Sequence, residues 1–153
     1  MARLEDMPKE QAAHIANLDC PTYVTQPWVA GPPLSQRRVA LISTAGLHHR
    51  QDRPHTGLTP DYRVIPGDIA PQDLVMSHVS TNFDRTGFIQ DFNLIFPLER
   101  LRELADQGLI AGVADFHYSF MGATDPRQMS GQAGEVARLL LKDQVNAVLL
   151  VPV

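Results

Sequence analysis

The chain has little cysteine and no excess of charge of one sign. Among its 153 residues, Cys20 is the single cysteine, so no internal disulfide can form. The 13 basic and 17 acidic side chains give a net charge of −4, and no block of the sequence is rich in Lys and Arg. A nucleic-acid partner is therefore not expected.

Long hydrophobic runs are also missing. No stretch approaches the ~20 apolar residues that cross a bilayer, so no membrane span is predicted. The opening residues, MARLEDMPKEQAAH, are charged and lack the apolar core of a secretory signal. Together with the single cysteine, these features predict a cytoplasmic protein. A chain of this length buries roughly 70% of the surface that it exposes when unfolded, without disulfides or metals.

The 12 prolines are concentrated in the first half of the chain and predict an extended, loop-rich N-terminal region. Residues 1–37 are therefore interpreted as a short helix, at about 8–17, followed by a proline-rich arm. Residues 38–153 are interpreted as a single α/β domain. Trp28 is expected to pin the arm to that domain, because a buried indole contributes a large apolar area.

Short apolar runs alternate with helical patterns after residue 38. This alternation predicts an α/β fold, a three-layer sandwich with a mostly parallel central sheet of the Rossmann or flavodoxin type. Gly108 is expected to end the clearest helix in a left-handed cap, and the final strand is expected to be buried on both faces. The predicted strands are 38–46, 62–66, 73–78, 113–120 and 146–153, and the predicted helices are 97–110 and 132–142.

Ligands bind beyond the carboxyl ends of the strands in sheets of this type. Here the rule selects the loop after Gly46, the segment around His78, the loop after Phe120 and whatever follows Val153. A parallel inner strand is normally followed by a covering helix. The domain is therefore expected to be incomplete at its C-terminus.

The segment after Gly46 is dense in imidazole and charged side chains. Arg can bind a carboxylate with two hydrogen bonds, and His can move protons near neutral pH. The position predicts a loop that binds an anionic group, and a solvated, hydrogen-bonded loop is the alternative. The candidate catalytic residues are His48 and His49, and the candidate substrate contacts are Arg50, Asp52 and Arg53.

Further candidates follow the later strands. His78 is a candidate acid or base, or a residue that orients another reactive group, and a core histidine is the alternative. His117 is a candidate catalytic residue. Met121 and Gly122 are candidate substrate contacts, because a glycine loop can approach a ligand closely, and a packed strand end is the alternative. Asp84 is a candidate substrate contact or part of a structural polar network.

No metal centre is predicted. The six histidines include no H-x-x-x-H or H-E-x-x-H pattern that would place two ligands on one helix face. A meeting of His48 or His49 with His78, His117 and Asp84 at one sheet edge stays open as an alternative.

Five segments carry a resemblance to a known family: RVALISTAGLHHRQDRP, IPGD, VMSHVSTNFDRTGFIQDFNLIFPLERLREL, HYSFMG and VNAVLLVPV. In this order they are similar to the selenoprotein B family of glycine, sarcosine, betaine and D-proline reductases, in particular its short, stand-alone D-proline reductase type. The resemblance runs from about Arg38 to the end, three quarters of the chain. The ordered combination is far more specific than a lone short motif.

The resemblance implies an oxidoreductase subunit. In this family, the strand corresponding to AVLLVPV is followed at once by selenocysteine or cysteine, as U-x-x-C or C-x-x-C. The chain is therefore expected to be truncated directly before its redox residue, as happens when a UGA codon is read as a stop. The natural protein is expected to contain selenocysteine, whereas the residues present hold no cofactor and perform no redox step. A chalcogenolate at a strand end can be stabilised by the next helix's N-terminus.

The resemblance also implies partners. These are a small-molecule substrate such as an amino acid or amine derivative, a reductase partner subunit or thioredoxin-like dithiol donor, and further copies of the chain in a homo-oligomer. Two alternatives stay open. One is a non-redox binding or scaffold protein of the same fold, and the other is a His-based, metal- or acid/base-dependent enzyme.

Overall fold

The fold is that of a computed structural model, which describes residues 3–19, 21–80 and 85–153. Cys20 lies outside these ranges. Within them the strands are β1 (Arg38–Ser43), β2 (Leu47–His49), β3 (Arg63–Pro66), β4 (Leu74–Met76), β5 (Gly112–Val113), β6 (Phe116–Ser119) and β7 (Ala147–Val151), and the α-helices are α1 (Lys9–Ala16), α2 (Thr86–Gln90), α3 (Leu98–Asp106) and α4 (Ser130–Lys142).

Strand β1 is the centre of the main sheet. β7 runs parallel to it, in a register that extends from Val39↔Ala147 to Ser43↔Val151. β5 is parallel to the first two residues of β1 and β6 to the last two, so both lie on the side of β1 opposite β7. β3 is antiparallel to β6. β2 and β4 form a separate two-stranded antiparallel sheet. The prediction of a mostly parallel α/β sheet is confirmed.

Alternate residues of β1 face two different cores, which creates the three layers. Leu41 is fully buried and packs in the core that also contains Leu98 and Leu101 of α3. Its neighbour Ala40 faces the second core, which contains Val136 of α4. Because successive strand residues point to opposite faces, one helix covers each side of the sheet. Each buried leucine stabilises the fold by about 1.5–3 kcal/mol through the area removed from water.

An ion-pair network closes the amino end of the sheet. The Arg38 guanidinium contacts the carboxylates of Asp143 at 2.5 Å and Asp115 at 2.9 Å, and it donates to the Val113 carbonyl at 2.7 Å. Burial alone would raise the pKa of Asp143, but hydrogen bonds from Arg38 and from the Phe116 N–H hold that pKa below its usual range. The network joins β1 to α4 and to the β5–β6 connection, far along β1 from its carboxyl end.

Three of the helices agree with their predictions. α1 and α4 lie within about two residues of the predicted bounds, and α3 begins directly after Pro97. Gly108 has φ +70°, the predicted left-handed cap, in a conformation that glycine adopts without steric cost. No helix in the described part of the chain is long and apolar enough to cross a membrane.

The prediction that the final strand is buried on both faces is wrong for these residues. Val148 and Leu149 are each 41% exposed, and Leu150 is 66% exposed. The reason is topological. β7 pairs with β1 alone within the described residues, so its second side and parts of both faces remain open.

Trp28 does not pin the arm to the body. Its side chain is 88% exposed. The arm passes beside β7, and Trp28 lines a shallow groove with Val148 and Leu150 instead of entering a core. The expected area contribution of the indole is therefore absent.

The predicted strand 113–120 is two short strands, β5 and β6. After Ala114 bonds to the Val39 carbonyl, the next N–H groups, of Asp115 and Phe116, both donate to the Asp143 carboxylate at 2.9 and 3.2 Å. A side chain thus replaces the strand partner for two residues. The segment after Gly46, predicted as a loop, contains strand β2.

Candidate functional site

The carboxyl ends of β1, β6 and β7 meet at Thr44. The Thr44 N–H donates to the Val151 carbonyl at 3.1 Å, which is the last bond of the β1–β7 ladder. Its hydroxyl Oγ1 accepts from the Val153 N–H at 2.8 Å and donates to the Val153 carbonyl at 3.2 Å. One side chain therefore satisfies both backbone groups of the residue that leaves the strand.

Gly122 packs directly against this point. Its N–H donates to the Thr44 carbonyl at 2.8 Å. A Cβ at Gly122 would lie 2.5 Å from the Val153 carbonyl oxygen and 2.8 Å from that of Thr44. Both are backbone atoms, so the position accepts glycine alone without a shift of the strand end.

Gly46 holds the other side of the site. It has φ +65°, and its N–H donates to the Phe120 carbonyl at 2.9 Å. A Cβ there would lie 3.0 Å from Met121 Cε and 3.2 Å from the backbone N and Cα of His78. Three predicted site residues thus come together here. We define the strand-end cluster as Thr44, Gly46, His78, Met121, Gly122 and Val153.

His78 is the titratable member of the strand-end cluster. It is 6% exposed, and its Nδ1 accepts from the Ser80 N–H at 3.2 Å, so the ring proton lies on Nε2. Its carbonyl accepts from Arg85. Burial, and then the charge of Arg85, lowers the pKa of His78 below its usual range. The side chain is therefore neutral at pH 7 and presents an N–H donor.

His48 and His49 lie on β2 and point in different directions. The Nδ1 of His48 lies 2.8 Å from the His49 carbonyl and carries the proton, because a carbonyl can only accept. Nε2 of His48 is buried without a hydrogen-bond partner in the described structure. His49 is partly exposed, and its Nδ1 accepts from the Gln51 N–H at 3.1 Å.

His55 is a residue that the sequence analysis missed. It is 4% exposed, and both ring nitrogens are buried. Burial, and then the charge of Arg63, lowers the pKa of His55, whereas the charge of Asp61 and a hydrogen bond with the Leu47 backbone act in the opposite direction. The His55 N–H donates to Ser77, the residue before His78. Its place directly after the motif GLHHRQDRP was the one sequence feature that pointed to it.

The predicted anion-binding loop does not join the strand-end cluster as expected. The Arg50 guanidinium donates to the Gln72 carbonyl at 2.6 and 3.2 Å, which fastens β2 to the turn before β4. Asp52 and Arg53 are exposed on the turn after β2. Asp84 lies outside the described residues. The substrate roles of these four residues stay predictions.

His117 lies inside the sheet core. It has no exposed surface, and its Nδ1 accepts from the Leu41 N–H at 3.0 Å. Its ring stands edge-on to Phe96, with centroids 5.7 Å apart. Burial lowers the pKa of His117 to about 4. These contacts explain a role in packing, whereas its catalytic role stays a prediction.

Metal-binding groups are not gathered in the described part of the chain. No three His, Cys, Asp or Glu side chains there are placed to hold one ion.

A groove of about 570 Å³ opens beside Gly122, between the N-terminal arm and the loop after β6. Its wall includes Leu58 and the ion pair between Arg127 and Asp19, at 3.2 Å. Arg127 also contacts Asp125 at 2.9 Å. The volume suits a small organic molecule with charged groups.

Comparison with known proteins identifies the family. Residues 26–153 match the glycine/sarcosine/betaine reductase selenoprotein B family, a span that takes in the main sheet and the whole strand-end cluster. The chain belongs to this family. This match confirms the resemblance noted for the sequence motifs.

Two relatives show how much of a longer protein the chain represents. It is 37% identical over 121 residues to the D-proline reductase subunit gamma of Acetoanaerobium sticklandii, covering 76% of this chain and 49% of the relative. It is 27% identical over 124 residues to the sarcosine reductase complex component B subunit beta of Peptoclostridium acidaminophilum, covering 76% of this chain and 28% of the relative. The chain thus spans half or less of the length of these two relatives. No solved structure matches it.

Proposed function

We propose that this chain forms the strand-end part of a selenol- or thiol-dependent reductase subunit, with the redox residue directly after Val153. The family match supports the general class. The observation that carries the proposal is the double hydrogen bond from Thr44 to Val153, which holds the backbone at the position where the resemblance places the redox residue. The carboxyl ends of three strands converge at this position, as is typical of reactive sites in α/β folds.

A selenolate or thiolate at this place attacks an activated substrate carbon, forms a bond to it and displaces the substrate amine as the leaving group. The second thiol of the U-x-x-C or C-x-x-C motif, three residues further along, then attacks the chalcogen, and the carbon leaves with a proton as the reduced product. A dithiol donor supplies the two electrons that reduce the resulting selenenylsulfide or disulfide. The backbone of His78 packs against Gly46 in the strand-end cluster, and its Nε2–H is the group that we propose orients the chalcogenolate or holds a proton. Gly122 lines the groove and borders the proposed substrate, whereas Met121 is fully buried beside it and stays a predicted contact.

The proposed substrate is an amino acid or amine derivative. The two relatives are named for D-proline and sarcosine, which are both small amino acids with a secondary amine. The groove beside Gly122 has room for such a molecule, and Arg127, Asp19 and Asp125 offer charges of both signs to a zwitterion. Both relatives are subunits of larger reductases, so a partner subunit is proposed too, together with self-association.

The test is made on the natural gene product purified from its source. Its intact mass and its peptide map after iodoacetamide treatment are expected to show a modified selenium or sulfur nucleophile directly after Val153. Turnover is then measured with D-proline, sarcosine, glycine and betaine, with dithiothreitol as electron donor and L-proline as the matched control. A mature polypeptide without a chalcogen nucleophile at that position contradicts the proposal.

A His-based acid/base function is a second candidate, because one observation favours it. The Nε2 atom of His48 is buried without a hydrogen-bond partner in the described structure. A buried polar group in that condition costs about 1–3 kcal/mol, which a bound ligand or water can offset. His48→Ala would abolish turnover under this candidate, whereas blocking the nucleophile after Val153 would leave turnover intact.

A further inference from the structure

We infer that Thr44 and Gly122 are positioning residues that fix the peptide plane following Val153, and so set the direction of the proposed redox residue. The inference rests on the proposed function for the identity of that residue. Neither Thr44 nor its contact with the strand end was recognisable from the sequence pattern, where Thr44 is one small residue after an apolar strand.

The first step concerns the end of the β1–β7 ladder. Main-chain pairing extends to Ser43↔Val151, and the next acceptor on the β1 side, the Thr44 carbonyl, is taken by the Gly122 N–H at 2.8 Å. The chain would be free to diverge at this point. Instead, the Thr44 side chain takes the place of a strand partner and binds both the N–H and the carbonyl of Val153.

The second step concerns the space at Gly122. The nearest atoms to a Cβ there would be the carbonyl oxygens of Val153, at 2.5 Å, and of Thr44, at 2.8 Å. The Gly122 N–H also binds the Thr44 carbonyl. Gly122 therefore lets three backbones approach more closely than any side chain would allow. An added methyl group has to displace the Val153 carbonyl, because neither oxygen belongs to a flexible side chain.

The third step follows from peptide geometry. In the continued chain that the proposed function requires, the Val153 oxygen belongs to a peptide carbonyl, in one planar unit with the N–H of the next residue. Holding that carbonyl therefore fixes where the next nitrogen and Cα lie, and it restricts the positions open to the side chain, which still turns with the φ angle of that residue. A shift of about 1 Å in a reacting group can cost on the order of 10²-fold in rate. Thr44 and Gly122 act through the backbone and need not touch the substrate.

The first measurement examines the hydrogen bonds themselves in the 153-residue chain. Thr44→Val removes the hydroxyl and preserves the shape, whereas Thr44→Ser keeps the hydroxyl and is the matched control. Amide hydrogen exchange at Val153 is expected to rise about fivefold to tenfold in T44V, in line with the loss of one ordinary hydrogen bond, and to stay near wild type in T44S. Equal exchange in all three proteins overturns the inference.

The second measurement separates positioning from folding. In the natural gene product, the rate of iodoacetamide alkylation after Val153 is followed against pH. T44V and G122A are expected to move the midpoint of this profile by about one pH unit, and T44S is expected to keep the wild-type midpoint, because a turn of the peptide plane changes the distances from the chalcogenolate to the polar groups around it. An unchanged profile in T44V, with a nucleophile present, overturns the positioning role and leaves the proposed function standing. The absence of a nucleophile after Val153 overturns the positioning role and the proposed function together, whatever the amide exchange at Val153 shows.

Discussion

Protonation of His117 is expected to weaken the fold as the pH falls. The imidazole has no exposed surface, accepts a hydrogen bond from the Leu41 N–H and packs against Phe96. Burial disfavours the charged ring, and the Arg102 charge adds to this effect, so the pKa of His117 is lowered from 6.5 to about 4. Protonation would also place a second N–H on Nδ1, where the Leu41 N–H already donates.

The sign and size of the effect follow from this pKa. Because the folded-state value lies below the unfolded one, the unfolded chain takes up a proton first as the pH falls. The stabilisation is complete above about pH 6.5 and is lost as the pH falls toward about 4. The total is about 3 kcal/mol, of which about 2 kcal/mol is lost between about pH 7 and pH 5.

Urea unfolding of wild type and His117→Asn, across this pH range, measures the effect. The asparagine Oδ1 can replace Nδ1 as the acceptor for Leu41, while the contact with Phe96 is lost. The variant is therefore expected to be less stable at pH 7, yet to lose about 2 kcal/mol less than wild type on going to pH 5. His14→Asn, at an exposed position on α1, is the matched control and should keep the wild-type pH dependence.

Parallel pH dependence in wild type and H117N would refute the reasoning. If H117N does not fold, an NMR titration of the His117 ring in wild type decides the matter instead. The ring is expected to stay neutral down to about pH 5, and a midpoint near 6.5 would show that burial does not control its protonation.

Three further predictions concern stability and are measured by urea unfolding. Arg38→Met leaves the carboxylates that the guanidinium contacts without their partner and is expected to lower the free energy of unfolding by about 2–3 kcal/mol. Arg100→Met removes an exposed ion pair and should lower it by about 0.5 kcal/mol or less. Similar losses in the two variants would contradict a special role for the Arg38 network. Gly108→Ala, at φ +70°, should lower the free energy of unfolding by about 1 kcal/mol. Gly134→Ala, within α4, should raise it by as much as about 1 kcal/mol. An increase in stability at both positions would rule out the left-handed cap. Leu150→Ser should change stability by no more than about 0.5 kcal/mol, because the side chain is 66% exposed, and a larger loss would mean that β7 is covered in solution.

The sequence was sufficient where a local pattern has one physical solution. The run RVALIS had to be a buried strand, and Pro97 and Gly108 had to bracket a helix, because ring geometry and left-handed backbone leave few alternatives. The rule that places sites at strand ends also brought His78, Met121 and Gly122 into one cluster. Each of these predictions depends on a residue and its neighbours along the chain.

Other expectations failed because they depended on contacts between distant segments. An apolar strand such as β7 is expected to be buried. Its exposure depends on how many strands pair with it, and the composition of the strand does not determine that number. Trp28 was predicted to be buried because of its large apolar side chain, but the arm holds that side chain in solvent. Asp115 and Phe116 left the strand ladder because Asp143, on a helix end 28 and 27 residues away respectively, offers a competing acceptor.

The sequence by itself determined the family, the α/β class and the strand ends at which a site would form, since these depend on ordered motifs and on the alternation of apolar runs. The tertiary structure alone decided which side chains serve the site. It enclosed His117 in the core, turned Arg50 toward a carbonyl, revealed the buried His55 and placed Thr44 against Val153. The reason is that hydrogen-bond partners and burial are properties of pairs of segments, and a single sequence specifies them only through the fold.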